Sequence, residues 1–252
     1  LTATVTDKDG DSATASISLG DKVGFRDDAP TVAVVATTTN LLVDETTLSG
    51  NATQDFSTSF NVNYRADGAG TTAYSLGVSG AGVNSGVIDV ASGQAVYLYF
   101  EAGNVVGRVG SGGVADVNGA IAFNITIVSS TGAVTLDQLL ALSHPDGSDD
   151  NDIVSLTAAA VTLTATVTDK DGDSASDTMN LGDRVNFRDD APTVAVVATT
   201  TNLLVDETTL SGNATQDFST SFNVNYRADG AGTTVYSLGI SGAGVPSGVV
   251  DV

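Results

Sequence analysis

Residues 161–173 read VTLTATVTDKDGD, and the pattern in this stretch decides the fold. Apolar or β-branched residues alternate along it until the pair Asp171-Gly172 interrupts them. Alternation with a period of two is typical of a half-buried strand, and Asp-Gly between two such runs is a strong hairpin-turn signal. The stretch therefore predicts an antiparallel β-hairpin.

The same hairpin sequence opens the chain, because residues 1–90 recur at 163–252 with 79 of 90 positions identical. The offset of 162 residues exceeds the roughly 20 to 50 residues of a solenoid unit, so the repeat has the size of a whole domain. We expect one complete unit at 29–190, after the C-terminal part of a preceding repeat (1–28) and before the N-terminal part of the next (191–252). A division of the unit into two smaller domains, 1–90 and 91–162, stays open.

The joint between units is predicted at the sequence FRDDAPTV, residues 25–32 and again 187–194. Its proline lacks a backbone donor and holds the preceding alanine in an extended conformation, which suits a stiff linker.

Most of the unit reads as strands separated by Gly-rich or Asp-rich turns. The strands are expected at 31–37, 58–65, 71–79, 94–101, 120–128 and 161–169. Only TLDQLLALS, residues 135–143, has the leucine spacing of a helix, with Thr135 as its N-cap and His144 at its C-terminal end. The sequence thus predicts an all-β protein of tandem Ig-like or cadherin-like β-sandwich modules with one short helical insertion.

Composition excludes several classes of function. The 252 residues carry a net charge of -21, with no cysteine and one histidine, and their mean hydropathy is +0.15. This charge repels nucleic acid and anionic lipid, and no apolar run is long enough to insert into a membrane. Disulfides and thiolate metal sites are excluded, and nothing supports a catalytic triad or an acid/base pair, so we expect no enzyme. A chain this acidic attracts cations.

The acidic residues are mostly aspartates, and they gather in three places. In the hairpin, carboxylates at alternate positions around a glycine could converge on one Ca²⁺ ion, although the spacing is not that of an EF-hand and a solvated turn remains the alternative. The hairpin candidates are Asp7, Asp9, Asp11, Asp169, Asp171 and Asp173. A loop with Asp146, Asp149, Asp150 and Asp152 is the second candidate site, against a simple flexible loop.

The third group lies at the joint and just after it, where an ion shared by two domains would fix their relative angle. Its members are Asp27, Asp28, Asp44, Glu45, Asp189, Asp190, Asp206 and Glu207. A soluble linker and a surface strand end would explain the same residues.

The run from Leu142 to Val194 resembles the extender domains of giant repeats-in-toxin (RTX) adhesins, which Gram-negative bacteria export by type I secretion. The resemblance rests on ordered landmarks: VDET, YSLGVSGAGVNSGVIDV, VYLYFEAGNVVGRVG, His-Pro, Asp-Gly-Asp and Asp-Asp-Ala-Pro. The nonapeptide calcium repeat of that family is absent from the sequence. The Asp-Asp-Ala-Pro joint is also similar to the calcium-binding linkers of cadherins.

This resemblance implies calcium-stiffened spacer modules on the bacterial cell surface, serving cell adhesion and biofilm formation, with adjacent repeats of the same chain as partners. Lateral association of edge strands into an extracellular fibre or matrix is an alternative. A glycan-binding or surface-binding module is another, with Tyr64, Tyr74, Tyr97 or Tyr99 as stacking residues. Near-identical copying favours the spacer, because added length needs no new recognition loops.

Overall fold

The computed structural model describes residues 1–250, and most of its regular secondary structure is β-strand. In chain order the strands are β1 (Thr2–Thr6), β2 (Ser12–Ser16), β3 (Thr31–Val34), β4 (Leu41–Asp44), β5 (Ala52–Asp55), β6 (Phe60–Asn63), β7 (Ala69–Val78), β8 (Val83–Ile88), β9 (Ala95–Glu101), β10 (Asn104–Val109), β11 (Ile121–Val128), β12 (Ala133–Gln138), β13 (Ile153–Ser155), β14 (Val161–Asp169), β15 (Ser174–Asn180), β16 (Val185–Arg188), β17 (Thr193–Val196) and β18 (Phe222–Asn225).

One layer is a six-stranded antiparallel sheet in the order β5-β12-β11-β10-β9-β8. Neighbouring strands from β8 to β12 are joined in sequence order, as expected for a meander with short turns. Strand β5 comes from much earlier in the chain and completes one edge beside β12, where the Thr53 and Thr135 hydroxyls lie 2.8 Å apart.

The second layer contains smaller sheets, and β7 contacts strands of the first layer. The long strand β14 lies between β7 and β15, and both pairings are antiparallel. Strand β3 pairs with β6 and also contacts β15, where the Val34 amide donates to Asp177 Oδ2 at 2.8 Å. A third small sheet has the order β13-β16-β4, and its β16-β4 pair is parallel.

A single hydrophobic core runs through the unit and includes residues from Leu41 to Phe187. The Phe123 and Phe187 rings meet in it with centroids 5.2 Å apart. Because residues of both 41–90 and 91–162 belong to this one core, these segments fold together and do not form two separate domains. The arrangement is an all-β sandwich, as predicted from the sequence.

The predicted helix at 135–143 is wrong, because its first residues form strand β12. Val134, Leu136 and Gln138 are buried while the residues between them are half-buried, which is the period of a strand. Pairing with β11 on one side and β5 on the other outweighs the helical spacing of the leucines. Within residues 1–250 the helical segments are short 3-10 turns, and none is long and apolar enough to cross a membrane.

The six predicted strands are confirmed, with ends that differ by a few residues. Several strands escaped prediction because they are short or interrupted by polar residues, notably β4, β5, β13 and β16. The predicted domain boundaries at 28/29 and 190/191 stay a prediction.

Near-identical sequences have opposite exposure in the flanking copies. Phe187 is fully buried, whereas its copy Phe25 is 96% exposed. Leu76 is 5% exposed, whereas the side chain of its copy Leu238 is fully exposed. The strands that cover these side chains in the unit, β9 to β13, occur once in the chain, so burial here depends on partners and not on local sequence.

Replacing Phe187 by alanine should lower the free energy of unfolding of the central unit by about 3 to 5 kcal/mol, because it leaves a cavity beside Phe123. Phe25→Ala is the matched control, since it changes the same repeat position where the ring is exposed. Urea denaturation measures both variants. Equal losses, or no loss in Phe187→Ala, would contradict the described core.

Candidate cation sites at the joints between units

The parallel pair β4-β16 brings two acidic residues together at the end of the unit. In this pair Asp44 lies opposite Arg188, and Arg188 Nη1 is 3.6 Å from Asp44 Oδ2. Parallel strands end at the same edge of a sheet, so the next residues, Glu45 and Asp189, become neighbours. Asp189 is also the first residue of the predicted linker aspartates, so the joint begins beside Glu45.

Glu45 is buried, and its two carboxylate oxygens differ in their partners. Oε1 accepts hydrogen bonds from Gln138 Nε2 at 2.6 Å and from the Leu142 amide at 2.9 Å. Oε2 is buried without a hydrogen-bond partner. An unpaired buried carboxylate oxygen is costly, and a bound cation would offset that cost.

His144 supplies an imidazole next to Glu45, with Nε2 3.5 Å from Glu45 Oε1. Its side chain is buried, and neither ring nitrogen has a hydrogen-bond partner. Burial lowers the pKa of His144, but the Glu45 carboxylate and the charges of Asp189 and Asp152 outweigh it and raise the pKa above its ordinary value. The prediction that His144 caps a helix is wrong, because residues 135–143 just before it form no helix.

The linker and the following unit add acidic residues at the same joint. Asp190 Oδ2 accepts a hydrogen bond from the Ala228 amide at 3.2 Å, and Asp190 Oδ1 is buried without a partner. Burial, together with the charges of Glu45, Asp189 and Asp190, raises the pKa of Asp229 to about 6. Carboxylates from the unit, the linker and the next unit therefore repel one another here.

At the first joint, acidic residues of the linker and of the following unit also lie close together. Asp27, Asp67 and Asp171 each offer a carboxylate oxygen, and these three atoms lie within 4.8 Å of one another. Burial raises the pKa of Asp67, as do its contact with Asp28 and the charges of Asp171, Asp28 and Asp27. Asp67 Oδ2 is buried without a partner.

Strand pairing explains why the hairpin aspartate Asp171 reaches the joint. Strand β14 pairs with β7 along its whole length, and Asp169 lies opposite Ala69. The hairpin turn therefore lies next to Asp67. Gly70 permits this approach, since a Cβ there would be 2.3 Å from the Thr168 carbonyl oxygen.

The turn that carries Asp67 is built in the same way in both copies. The Arg65 amide donates to Asn63 Oδ1 at 2.9 Å, and Arg65 has a left-handed φ of +56°. The copies Arg227 and Asn225 repeat the hydrogen bond at 2.9 Å, with φ +55°. An aspartate or asparagine side chain that bonds to the backbone two residues on forms a tight turn, so the local sequence sets this geometry.

In each hairpin, one carboxylate oxygen of the first aspartate accepts hydrogen bonds from the turn. Asp169 Oδ1 accepts from the amides of Gly172 at 3.1 Å and Asp173 at 2.9 Å, while its Oδ2 is buried without a partner. In the first copy Asp7 makes the same two bonds, to Gly10 and Asp11. There carboxylate oxygens, one each from Asp7, Asp9 and Asp11, lie within 4.8 Å of one another, and all three residues are exposed.

The acidic loop does not form the predicted ligand group among residues 1–250. Its carboxylates cap their own turns: Asp146 accepts from Ser148, Asp149 from the Asn151 amide, and Asp150 from Asn151 Nδ2. Asp152 accepts from the Asp146 amide at 3.1 Å, and its backbone oxygen accepts from the Asp189 amide at 2.9 Å. The loop is thus tied to the joint by its backbone.

The remaining predicted ligands have other contacts. Asp44 and its copy Asp206 cap the turns that follow them, accepting from the Thr46 and Thr208 amides at 2.9 and 2.8 Å. Burial acts to raise the pKa of Asp44, but the hydrogen bonds from Thr46 and the charge of Arg188 have the larger effect, so the pKa lies below its ordinary value. Glu207, the copy of Glu45, is exposed.

Sequence reasoning missed Asp67, its copy Asp229, and His144 as parts of a site. The available signal for the two aspartates was the recurrence of the turn RADGAG at 65–70 and 227–232. Because the copies are 162 residues apart, Asp27, Asp28 and Asp67 correspond to Asp189, Asp190 and Asp229. Linker aspartates therefore lie near an aspartate of the next unit at both joints. At the first joint Asp27 and Asp67 group with Asp171 in an all-oxygen donor set that fits a hard cation.

In metal-free protein, acidification should stabilise contact between the units at the second joint. A raised carboxyl pKa favours the protonated form in the docked state, so this contribution is present below the ordinary pKa of 3.8 and is lost as the pH rises through about 6. Small-angle scattering in excess chelator should show a more compact particle at about pH 5 than at about pH 7.

Asp229→Asn should weaken this pH response, whereas Asp149→Asn, which removes only a turn cap, should leave it intact. A particle whose dimensions do not change with pH would contradict the described joint.

Comparison with known proteins identifies a family at this point. A family model described as a domain of unknown function (DUF5801) matches residues 40–182 and 202–252. No curated protein and no solved structure matches the chain. The two matched segments begin 162 residues apart, so the family match repeats with the same offset as the sequence. The chain belongs to the DUF5801 family.

Proposed function

We propose that this chain is a structural spacer of tandem β-sandwich units in a large bacterial surface adhesin, and that Ca²⁺ stiffens the joints between its units. The spacer catalyses no reaction and holds a binding region away from the cell, in support of adhesion and biofilm formation. Its partners are the neighbouring repeats of the same chain. The surface location, the export by type I secretion and the adhesive context come from the resemblance to RTX adhesins.

The observation that carries this proposal is the set of unpaired carboxylate oxygens at both joints. Asp67 Oδ2 at the first joint and Asp190 Oδ1 at the second are buried without a hydrogen-bond partner. A native protein satisfies nearly all buried polar atoms, so an exception at each joint, though at different positions of the repeat, suggests an ion. The second joint brings together Glu45 and Asp229 from either side of the linker, so an ion there would act on the angle between units.

Charge supports a divalent cation at neutral pH. Burial and the charges of Glu45, Asp189 and Asp190 raise the pKa of Asp229 to about 6, and above that pH the joint gains negative charge. A divalent cation turns this repulsion into attraction. Ca²⁺ accepts six to eight oxygen ligands in flexible geometry, and aspartate oxygens with water can supply them.

Removal of calcium should lower the melting temperature of the 252-residue chain. An ion that binds only the native state contributes about 4 kcal/mol at a thousandfold excess over its Kd, and for this size of domain that corresponds to a shift of about 10 °C. Calorimetry with calcium or with excess chelator measures the shift. Small-angle scattering should show a longer, stiffer particle with calcium, and an unchanged melt and shape would reject the proposal.

Variants separate the joint from general charge effects. Asp67→Asn combined with Asp229→Asn removes one carboxylate from each joint and should abolish most of the calcium response. Asp149→Asn combined with Asp150→Asn changes the charge equally in a loop whose carboxylates cap turns, and should retain it. Equal responses in both double variants would place calcium outside the joints.

A further inference from the structure

The buried pair Glu45 and His144 has features that a calcium site does not need. His144 is the single histidine of the chain, and its side chain is 3% exposed. Both ring nitrogens lack a hydrogen-bond partner. A neutral imidazole presents one donor and one acceptor, so burying both unpaired is costly unless a ligand or an ionic partner compensates.

Glu45 is oriented as a ligand with a supporting hydrogen-bond network. Gln138 Nε2 donates both to Glu45 Oε1 at 2.6 Å and to the Leu140 carbonyl at 3.0 Å, and the Leu142 amide donates to the same Oε1. These donors hold the carboxylate in place and leave Oε2 free. In metal sites, hydrogen bonds of this kind orient the ligating side chains and tune their affinity for the metal.

Asp189 completes a group of three donors. One ligand atom each from Glu45, His144 and Asp189 can be chosen so that all lie within 4.8 Å of one another. The backbone holds Asp189 there, because its amide donates to the Asp152 carbonyl and β16 ends one residue before it. The three residues therefore connect the end of strand β4, the loop that carries His144 and the start of the linker.

We propose that Glu45, His144 and Asp189 form a site for a divalent transition-metal cation of the zinc class, one per complete unit. Imidazole with carboxylates suits zinc and its neighbours, whereas alkaline-earth cations prefer oxygen donors alone. The site differs from the proposed all-oxygen calcium site in its donor set and in its position inside the unit, although both use a linker aspartate. Bound there, the metal ties the start of the linker to the body of the unit.

Zinc titration of the full chain in excess calcium tests this assignment, because calcium occupies the all-oxygen positions first. Isothermal calorimetry should find one tight zinc site per chain, since Glu207, the copy of Glu45, has no second histidine to pair with. Cobalt(II) as a spectroscopic probe should give visible absorption bands that change when the imidazole is removed.

His144→Gln should weaken zinc binding at least about tenfold and alter the cobalt spectrum. Asp189→Asn, at a less buried position, should weaken zinc binding as well. If His144→Gln fails to fold, zinc binding by Asp189→Asn tests the site instead. Asp149→Asn is the control and should leave zinc binding unchanged.

Zinc binding that is absent, or that survives both His144→Gln and Asp189→Asn, would overturn the proposal and leave His144 and Glu45 as a buried ion pair. Weak binding at several sites that excess calcium suppresses would overturn it too. The calcium-dependent melt should persist in His144→Gln, so failure of this site is distinguishable from failure of the calcium spacer.

Discussion

The parallel pairing of β4 with β16 is the constraint on which the unit and its joint both depend. It brings together residues more than 140 positions apart and closes the core through Leu41, Val43 and Phe187. Because parallel strands end at the same edge, it also places Glu45 beside Asp189. The fold is thus completed where the linker begins, and stability of the last strand is coupled to the geometry of the joint.

A second strand pairing brings acidic residues together at the other end of the unit. Strand β14 returns to β7, and the close approach at Gly70 sets the hairpin turn against Asp67 and the preceding linker. Carboxylates from distant parts of the sequence therefore meet at both ends of a unit. Each sits where burial and like charge make it costly, and the raised pKa values of Asp67, Asp189 and Asp229 record that cost. We infer that cations offset it.

Local pattern was sufficient for the strands with clear alternation and for the Asp-Gly hairpins, since a half-buried strand and a tight turn are encoded within a few residues. It failed at residues 135–143, where leucines spaced for a helix serve a strand held on both sides. The ligand role that it predicted for Asp146, Asp149 and Asp150 stays a prediction, and in the structure these short side chains cap their own turns. Asp67 and His144 were missed because their neighbours come from elsewhere in the chain.

The sequence by itself determined the repeat, the all-β class and the concentration of aspartate in turns and linkers, because these follow from composition and from patterns of a few residues. Only the tertiary structure decided which acids meet. Phe25 and Phe187 share their local sequence but differ completely in burial, and Glu45 and Glu207 differ in the same way. The physical reason is that burial, and with it the pKa and metal-binding capacity of a carboxylate, belongs to the strands that pack around it.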